Sequence, residues 1–505
     1  MSFSLKEILE KRAEIMNESD TQETVLIDPE KVLNPIDIPS KAPIRIRQRV
    51  FSRQNSEYLE IGDANEEIVQ NKILLTKFLA PNEAYMKNSI VRWTSNVMKL
   101  LSIALLFAGT SSTTSFAAEE TAIVPFEIAI PEQDIQDLKQ RLSRTRLPDQ
   151  IADTSWEYGT DIRYLRELLA YWENDYDWRE QEENLNQFDQ FKTEIEGLDL
   201  HFIHQRSENP NAIPLMMVHG WPGSIAEFTK IIGPLTDPVA YGGNIEDSFH
   251  IIAPSLPGFG FSEIPSDPGY SPEKMAHLLA GLMERLGYAN YSIAGGDWGA
   301  IINRHLANNY PDRLIGFHSN MLSASSPADE ELRNGMTEDE SQRRTTRAAY
   351  MENERGYQRI QGTKPQSLGY GLNDSPAGLA GWIVEKFHAW TDMPQGATGD
   401  LDNYFTKDEL LTNVSIYWFT QTITSSTRIY YENSKNRPEK AMEYIGVPTG
   451  ASLFPAEIFI TPRTWAEASY NIIHWTVMPQ GGHFAALEQP ALYLQDLREF
   501  FQLLR

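Results

Sequence analysis

The stretch SIAGGDWGAIINRHLANN, from Ser292 to Asn309, decides the fold. It has the pattern Gly-x-nucleophile-x-Gly, with Asp297 at the position where a serine is usual and with Gly295 and Gly299 on either side. The letters YSIAG predict a strand and AIINRHLANNY a helix, so Asp297 would lie on a tight strand-to-helix turn. An aspartate between glycines is also common as a helix cap or turn residue, so the motif alone leaves both interpretations open.

The segments around this stretch alternate between strands and helices. Short apolar runs that end in glycine-rich turns are typical of strands buried on both faces of a parallel sheet, and three are present: IPLMMVHG, HIIAPSLPG and YSIAGGD. Helical patterns follow two of them, SPEKMAHLLAGLMERLG and WGAIINRHLANNYPDRL, while FKTEIEGLDLHFIHQR predicts a hairpin that turns at Gly197. This alternation indicates an α/β fold.

A long segment of different character interrupts the alternation. Residues 320–436 are predicted to form helices rich in tyrosine and tryptophan, after which EIFITP, HWTVMPQGGH and ALYLQDLREFFQLL resume the core. We therefore predict an α/β-hydrolase fold whose core comprises residues 191–319 and 437–505. Residues 320–436 would form a mostly helical lid over the carboxyl edge of the sheet, where ligands bind in open α/β folds.

The loop after an earlier predicted strand carries a second signal. HGWPGS, from His219 to Ser224, directly follows IPLMMV. In this fold such a loop donates one backbone N–H to the oxyanion, and the residue after the nucleophile donates the other. The corresponding residues are Trp221 and Trp298. The alternative is that the loop is a plain turn.

A histidine and an acid complete the pattern in the chain order nucleophile, acid, base. His483, in QGGHFAALEQP, lies between the last predicted strand and the last helix, from where a general base can reach Asp297. Glu457, in VPTGASLFPAEIFITP, follows a strand-like run and is the candidate that orients the histidine. Glu467 and Glu488 are rivals, and spacing alone does not decide among the three.

Aspartate at the nucleophile position changes the expected chemistry. A carboxylate is suited to displacement at an alkyl carbon, which would give a covalent ester of Asp297. A water deprotonated by His483, itself held by Glu457, would then attack the ester carbonyl and free the product. Epoxides and haloalkanes both fit this scheme, and a homologue that binds ligands without turnover is a third alternative.

From about Pro125 to the C-terminus the sequence resembles the microsomal-type epoxide hydrolases. The resemblance rests on dense motifs: HGWPGSIAEF, PSLPGFGFSE, GGDWGA, LNDSPAGLAGWIVEKFHAWTD, LLTNVSIYW, PTGASLFPAEI and GGHFAALEQP. It implies an enzyme that adds water to a small apolar epoxide to give a vicinal diol, with Asp297 as nucleophile, His483 as base and Glu457 as its acid partner. It also implies that residues 119–190 form the family's N-terminal meander, which wraps the catalytic domain and covers the lid.

The resemblance further implies two lid tyrosines that donate hydrogen bonds to the epoxide oxygen. The matching residues are Tyr357, in ERGYQRIQGTKP, and Tyr430, in TRIYYEN. A tyrosine hydroxyl can polarise the ring oxygen without adding charge. Tyr431 is an immediate rival of Tyr430. The two tyrosines and the HGWPGS loop favour an epoxide over a haloalkane.

The composition restricts the partners and the chemistry. The 505 residues carry a formal net charge of −26, which argues against nucleic acid because phosphate binding needs a basic face. The chain has no cysteine, so disulfides, thiolate metal sites and cysteine nucleophiles are excluded. The 10 histidines include no HExxH-type pair, and we predict neither a metal site nor a cofactor.

The N-terminal region differs from the rest of the chain. Residues 1–85 are polar and charged, and we predict a mostly disordered or adapter-like extension. Residues 86–118 have the layout of a secretory signal, with basic residues, an apolar run of about ten residues and a small-residue cleavage site near Ala117. We expect export if this segment is cleaved. The alternatives are membrane attachment through residues 86–110 and a buried helix.

Two helices are predicted between this segment and the core. PEQDIQDLKQRLSRTRLPD places Ile135, Leu138 and Leu142 on one stripe, with Pro148 as the stop. DIRYLRELLAYWENDYDWREQEENLNQF predicts a second amphipathic helix followed by a tryptophan-rich meander.

Overall fold

The computed structural model describes residues 44–51, 56–64, 122–393 and 401–505. The chain divides into two units, which are Met1–Ser112 and Thr113–Arg505. In the first unit, strand β1 (Ile44–Phe51) pairs antiparallel with strand β2 (Ser56–Ala64). Both strands lie within the polar extension, residues 1–85. The apolar and basic letters that alternate at the start of IRIRQRVF are consistent with a strand.

The second unit contains a nine-stranded mixed sheet in the order β11-β10-β9-β8-β6-β7-β5-β4-β3. Its strands are β3 (Val124–Pro125), β4 (Gln190–Ile195), β5 (Leu198–Gln205), β6 (Ile213–Val218), β7 (Phe249–Pro254), β8 (Tyr291–Gly295), β9 (Leu314–Ser319), β10 (Ile445–Leu453) and β11 (Tyr470–Val477). Strands β6 to β11 are parallel, while β3, β4 and β5 extend one edge antiparallel. The predicted hairpin is β4 and β5, which turn at Glu196 and Gly197.

The three apolar runs form the centre of the sheet, as predicted. Strand β8 lies between β6 and β9, and every residue of β8 is buried. Burial on both faces explains why these strands are continuous apolar runs rather than alternating patterns. Parallel neighbours end at the same edge of the sheet, so the turns after β6 and β8 meet there.

Six helices lie between these strands in the sequence and complete this part of the core. Helices α1 (Glu132–Leu142), α2 (Ile162–Asn174) and α3 (Trp178–Asn186) lie between β3 and β4, and α4 (Thr229–Thr236), α5 (Pro272–Arg285) and α6 (Asp297–Asn309) connect later strands. Helix α5 begins where Ser271 accepts a hydrogen bond from the Lys274 backbone N–H and Pro272 occupies the first turn.

The early helices differ from the prediction in their ends. The stripe of Ile135, Leu138 and Leu142 is buried as expected, but α1 already ends at Leu142, well before Pro148, because the chain turns at Ser143. The second predicted helix is α2, and the stretch predicted as a tryptophan-rich meander after it contains a further helix, α3. Asp177 caps the start of α3 through the Arg179 backbone N–H, and this local hydrogen bond competes with a continuous helix.

Residues 320–436 supply seven further helices among the described residues: α7 (Glu330–Asn334), α8 (Glu338–Glu354), α9 (Gly356–Gln361), α10 (Pro365–Leu372), α11 (Pro376–Trp390), α12 (Lys407–Thr420) and α13 (Ile423–Lys435). Helices α8 and α12 both begin with a capping box, at Thr337 with Glu340 and at Thr406 with Glu409. We refer to residues 320–436 as the lid.

The early helices pack against the lid. The Trp172 indole donates to Ser415 at 3.2 Å, the Tyr171 hydroxyl donates to Asp408 at 2.9 Å, and the Tyr176 hydroxyl lies 3.1 Å from the Thr412 hydroxyl. All three contacts reach α12. The early segment therefore braces the helix that approaches the carboxyl edge of the sheet.

The C-terminal region completes the sheet and ends in helices α14 (Arg463–Glu467), α15 (Ala485–Glu488) and α16 (Pro490–Gln502). The last predicted helix is confirmed as α16. EIFITP follows β10 as a loop with one isolated bridge at Ala456, and Glu457, Ile458 and Ile460 are buried within it.

The signal-like or anchor segment, residues 86–118, lies outside the described residues, so export and membrane attachment stay predictions. Among the helices that the structure describes, none combines the length and the hydropathy needed to cross a membrane.

Candidate active site

Asp297 lies on a strained turn between β8 and α6. Its backbone φ is 46°, in the left-handed region that favours glycine. Neither flanking glycine could carry a side chain: a Cβ on Gly299 would lie 1.9 Å from the Val218 carbonyl oxygen, and one on Gly295 would lie 2.4 Å from the same atom. The glycines thus allow the turn to press against the end of β6, which brings Asp297 up to the HGWPGS loop.

The Asp297 carboxylate is held from two sides. The Trp221 backbone N–H donates a hydrogen bond to Oδ1 at 2.8 Å, and His483 Nε2 lies 3.4 Å from Oδ2. The side chain is largely buried. One oxygen is therefore fixed by a backbone donor while the other faces a titratable base.

His483 forms a buried pair with Glu457. The imidazole Nδ1 lies 2.5 Å from Glu457 Oε1, and both side chains are almost fully buried. The Ile458 backbone N–H donates to the same carboxylate oxygen at 2.6 Å, and the Asn320 amide donates to the other oxygen at 3.4 Å. The His483 backbone N–H donates to the Trp390 carbonyl at 2.9 Å, which fixes the loop. The acid thus orients the ring so that Nε2 points to Asp297.

The two carboxylates set the charge of the histidine. Burial alone would lower the pKa of His483, but Glu457 and Asp297, one beside each ring nitrogen, outweigh burial and raise the pKa well above its usual value. In the free protein the imidazole is therefore held as a cation between two anions.

The rival glutamates lie elsewhere. Glu467 is exposed and pairs with Arg463 on the surface of α14. Glu488 is buried, but its carboxylate accepts the Gly482 and Asp392 backbone N–H groups and so braces the loop rather than the imidazole ring. Glu457 is the acid that the structure places beside His483.

The two predicted lid tyrosines converge above Asp297. Tyr430 packs edge-on against Trp298 at 4.7 Å between ring centroids and against Tyr357 at 5.7 Å, and Tyr357 stacks on Trp221 at 5.4 Å. The rival Tyr431 is 38% exposed and packs beside Lys435. Among these tyrosines, Tyr357 and Tyr430 are the pair that the fold brings to Asp297.

Both hydroxyl groups stay protonated at neutral pH. Burial, reinforced by the negative charge of Asp297, raises the pKa of Tyr357 and of Tyr430 far above the usual value. The Tyr430 hydroxyl is buried and makes no hydrogen bond to another described residue. An unpaired buried donor is costly unless a ligand satisfies it, so this hydroxyl is a candidate binding group.

The predicted oxyanion donors have different support. Trp221 donates its backbone N–H to Asp297, as described above. Trp298 directly follows Asp297 on the first turn of α6, which is the position expected of the second donor. Its indole ring contacts Tyr430.

Two lid residues hold the HGWPGS loop and were not anticipated from the sequence. The Asn413 amide donates to the Pro222 carbonyl at 2.8 Å and accepts from the Ser224 hydroxyl at 2.7 Å, and the Tyr417 hydroxyl donates to the Gly223 carbonyl at 2.6 Å. They are four residues apart in LLTNVSIYW, so they share one face of α12. Two side chains with hydrogen-bonding groups on one face of the buried stretch of this helix were the available signal.

Residues that could hold a metal ion lie away from Asp297. Within the described ranges, His474, Asp496 and Glu499 place ligand atoms within 4.8 Å of one another. The Asp496 carboxylate is already engaged there, at 2.8 Å from both His318 Nε2 and His474 Nε2. The cluster joins α16 to β9 and β11 and shares no residue with the Asp297 site.

Comparisons with known proteins agree with this architecture. Residues 123–228 match the family model "Epoxide hydrolase N terminus", and residues 213–356 match "alpha/beta hydrolase fold". Epoxide hydrolase 1 of Sus scrofa is 41% identical over 421 residues, which cover 77% of this chain and 90% of that protein.

Solved structures give the same result. The juvenile hormone epoxide hydrolase of the silkworm Bombyx mori superimposes with a TM-score of 0.71 at 34% identity, covering 77% of this chain and 96% of that one. The epoxide hydrolase of Aspergillus niger gives a TM-score of 0.67 at 29% identity, covering 77% and 98%. The predicted fold and family are confirmed: the chain belongs to the epoxide hydrolases and has the α/β-hydrolase fold.

Proposed function

We propose that this protein converts an epoxide to a vicinal diol through a covalent ester on Asp297. The observation that carries the proposal is the setting of the Asp297 carboxylate. Trp221 binds Oδ1, Oδ2 faces His483, and two buried tyrosine hydroxyls converge above. A carboxylate held in this way is poised as a nucleophile towards a ring whose oxygen the tyrosines bind.

In the first step, Asp297 Oδ2 attacks a ring carbon and the C–O bond of the epoxide breaks. The ring oxygen takes a proton from Tyr357 or Tyr430. Because the pKa of both hydroxyls is raised, each carries its proton at neutral pH and can donate it. The product of this step is an alkyl ester of Asp297 and a tyrosinate.

In the second step, His483 removes a proton from a water, and the water oxygen attacks the ester carbonyl carbon. The developing negative charge falls on Oδ1, which the Trp221 N–H already binds. When the tetrahedral intermediate collapses, the diol oxygen takes the proton from His483, and the proton left on the Asp297 carboxyl returns to the imidazole, which restores the starting state.

The charge of Asp297 links the two steps. The negative charge of Asp297 helps to raise the pKa of His483, and conversion of Asp297 to a neutral ester removes that contribution to the pKa. The imidazole then gives its proton more readily to the tyrosinate that the first step left. His483 thus becomes a base only after the ester exists, when a base is needed.

A single turnover in ¹⁸O-labelled water tests the proposal. With protein in excess over styrene oxide, the label should enter the Asp297 carboxyl group and the diol should carry unlabelled oxygen, because water attacks the ester carbonyl. Peptide mass spectrometry locates the label. Label in the diol, or full activity of Asp297→Ala, would contradict a covalent ester. Halide release from a chloroalkane, without diol from styrene oxide, would point instead to dehalogenation.

A further inference from the structure

A small cavity adjoins Asp297 and His483, and the two lid tyrosines are not among its lining residues. Its polar lining groups are Glu227, His219, Asn320, Asp297, His483 and Tyr493. The cavity volume is about 20 Å³, which suits a water molecule and is far too small for an epoxide substrate.

The cavity has the position that the hydrolytic water needs. A water that attacks the ester must contact the carboxyl carbon of Asp297 and His483 Nε2 at once, and both residues line it. One base contact does not fix the orientation of a water, because its second hydrogen is left free to point in many directions. A second acceptor would hold it.

Most of the other polar groups are already engaged. His219 Nδ1 donates to the Gly220 carbonyl, and Nε2 accepts the Leu256 backbone N–H, so this ring is fixed in its neutral form and both nitrogen atoms are occupied. Burial lowers the pKa of His219 to about 4, which agrees with a neutral ring. The Asn320 amide binds Glu457 and the His483 carbonyl.

Glu227 is the carboxyl group that remains. Its side chain lies against Gly223, where a Cβ would meet Oε1 at 1.3 Å, so the HGWPGS loop fixes its position. Among the described residues none donates a hydrogen bond to its carboxyl group. Burial, reinforced by Asp297 and Glu457 and opposed by His483, raises the pKa of Glu227 to about 8. A carboxyl oxygen accepts a hydrogen bond in either protonation state.

We propose that Glu227 positions the hydrolytic water by accepting its second hydrogen while His483 accepts the first. This inference rests on the proposed function. In the hydrolytic step the water oxygen bonds to the Asp297 carboxyl carbon, His483 takes one hydrogen as a proton, and the other stays on oxygen, bound to Glu227. Glu227 is a positioning residue and exchanges no proton in the step.

The test separates formation of the ester from its hydrolysis. Protein and styrene oxide are mixed rapidly and quenched, and intact mass spectrometry follows the alkyl-enzyme in native protein, Glu227→Leu, Glu227→Gln and Glu227→Asp. In Glu227→Leu we expect hydrolysis to slow about tenfold or more, with ester formation unchanged within twofold. The ester should accumulate, and kcat and KM should fall together. Glu227→Gln keeps an acceptor and should recover most of the rate.

Two variants keep the test decisive. Glu246→Gln alters an exposed glutamate that does not line the cavity and should behave as native protein. If Glu227→Leu does not fold, Glu227→Asp decides, because it withdraws the carboxyl by one methylene and should also slow hydrolysis. Native-like hydrolysis in Glu227→Leu, or in Glu227→Asp where Glu227→Leu does not fold, overturns the inference. Absence of any ester on native protein would instead overturn the proposed function.

Discussion

Glu457→Gln tests how much of the hydrolytic step depends on the buried acid. The substitution keeps the size of the side chain but removes its charge. The amide can donate to His483 Nδ1, which would place the remaining proton on Nε2, the nitrogen that must accept a proton from water. The same change removes the carboxylate that raises the pKa of His483.

The expected magnitude follows from the geometry. The Nδ1–Oε1 contact is 2.5 Å and both side chains are almost fully buried, and breaking a buried charged pair costs about 3–5 kcal/mol. The imidazolium forms in the transition state for hydrolysis, so the loss is expressed there. At about 1.36 kcal/mol for each tenfold change, hydrolysis should slow by roughly 10²–10⁴.

Rapid quench and intact mass spectrometry check this expectation. Ester formation should change far less than hydrolysis, so the alkyl-enzyme should become the main species at steady state. Glu467→Gln is the matched control, because Glu467 is the exposed rival on α14 and should leave both steps unchanged within twofold. Hydrolysis in Glu457→Gln within tenfold of the native rate, with the fold intact by circular dichroism, would refute the reasoning.

Three further predictions concern the lid, the turn and the C-terminal helix. Tyr430→Phe should slow ester formation roughly 10- to 150-fold, the value of one hydrogen bond to a developing charge, while Tyr431→Phe should not; stopped-flow kinetics compare them. Gly299→Ala should lower the free energy of unfolding by about 3 kcal/mol or more in urea titrations, because its Cβ would lie 1.9 Å from a β6 carbonyl oxygen. Gly446→Ala is the control: its Cβ would meet open space, so the free energy of unfolding should fall by under about 1 kcal/mol. Asp496→Asn should lower the free energy of unfolding by about 3 kcal/mol at pH 7. Burial would raise the pKa of Asp496, but two histidines lower it far below its usual value. The stability that Asp496 contributes is therefore present above its unfolded pKa and should be lost progressively as the pH falls below about 4.

The raised pKa of His483 gives a sign to the pH dependence of the pathway. In the free protein both carboxylates stabilise the imidazolium, so ester formation does not need a neutral imidazole. Hydrolysis does. We therefore expect the hydrolytic step to lose rate on acidification at a higher pH than ester formation does, and the ester to accumulate at low pH.

The sequence predicted the elements that local pattern controls. Apolar runs ending in glycines gave the central strands, because a strand buried on both faces must be apolar throughout. The order of Asp297, Glu457 and His483 followed from the chain order of the fold. Local pattern did less well at the ends of elements. α1 ends at Leu142 instead of near Pro148, since local hydrogen bonding decides where a helix ends.

Choices among rivals depended on burial and direction, which one-dimensional spacing does not contain. Glu457 and Glu467 have similar local surroundings in the sequence, but one faces His483 and the other faces solvent. Tyr430 and Tyr431 are adjacent on one helix, so their side chains point about 100° apart and only Tyr430 turns inwards.

The sequence by itself thus determined the fold class, the family resemblance and the kind of chemistry, because a carboxylate between glycines selects attack at an alkyl carbon. Only the tertiary structure decided which acid holds the base, which tyrosines lie beside Asp297, and how Asn413, Tyr417 and Glu227 surround the HGWPGS loop. The physical reason is distance: Asn413 lies 189 residues from Ser224 in the chain yet hydrogen-bonds to it. No local pattern records a contact that exists only once the lid has folded over the sheet.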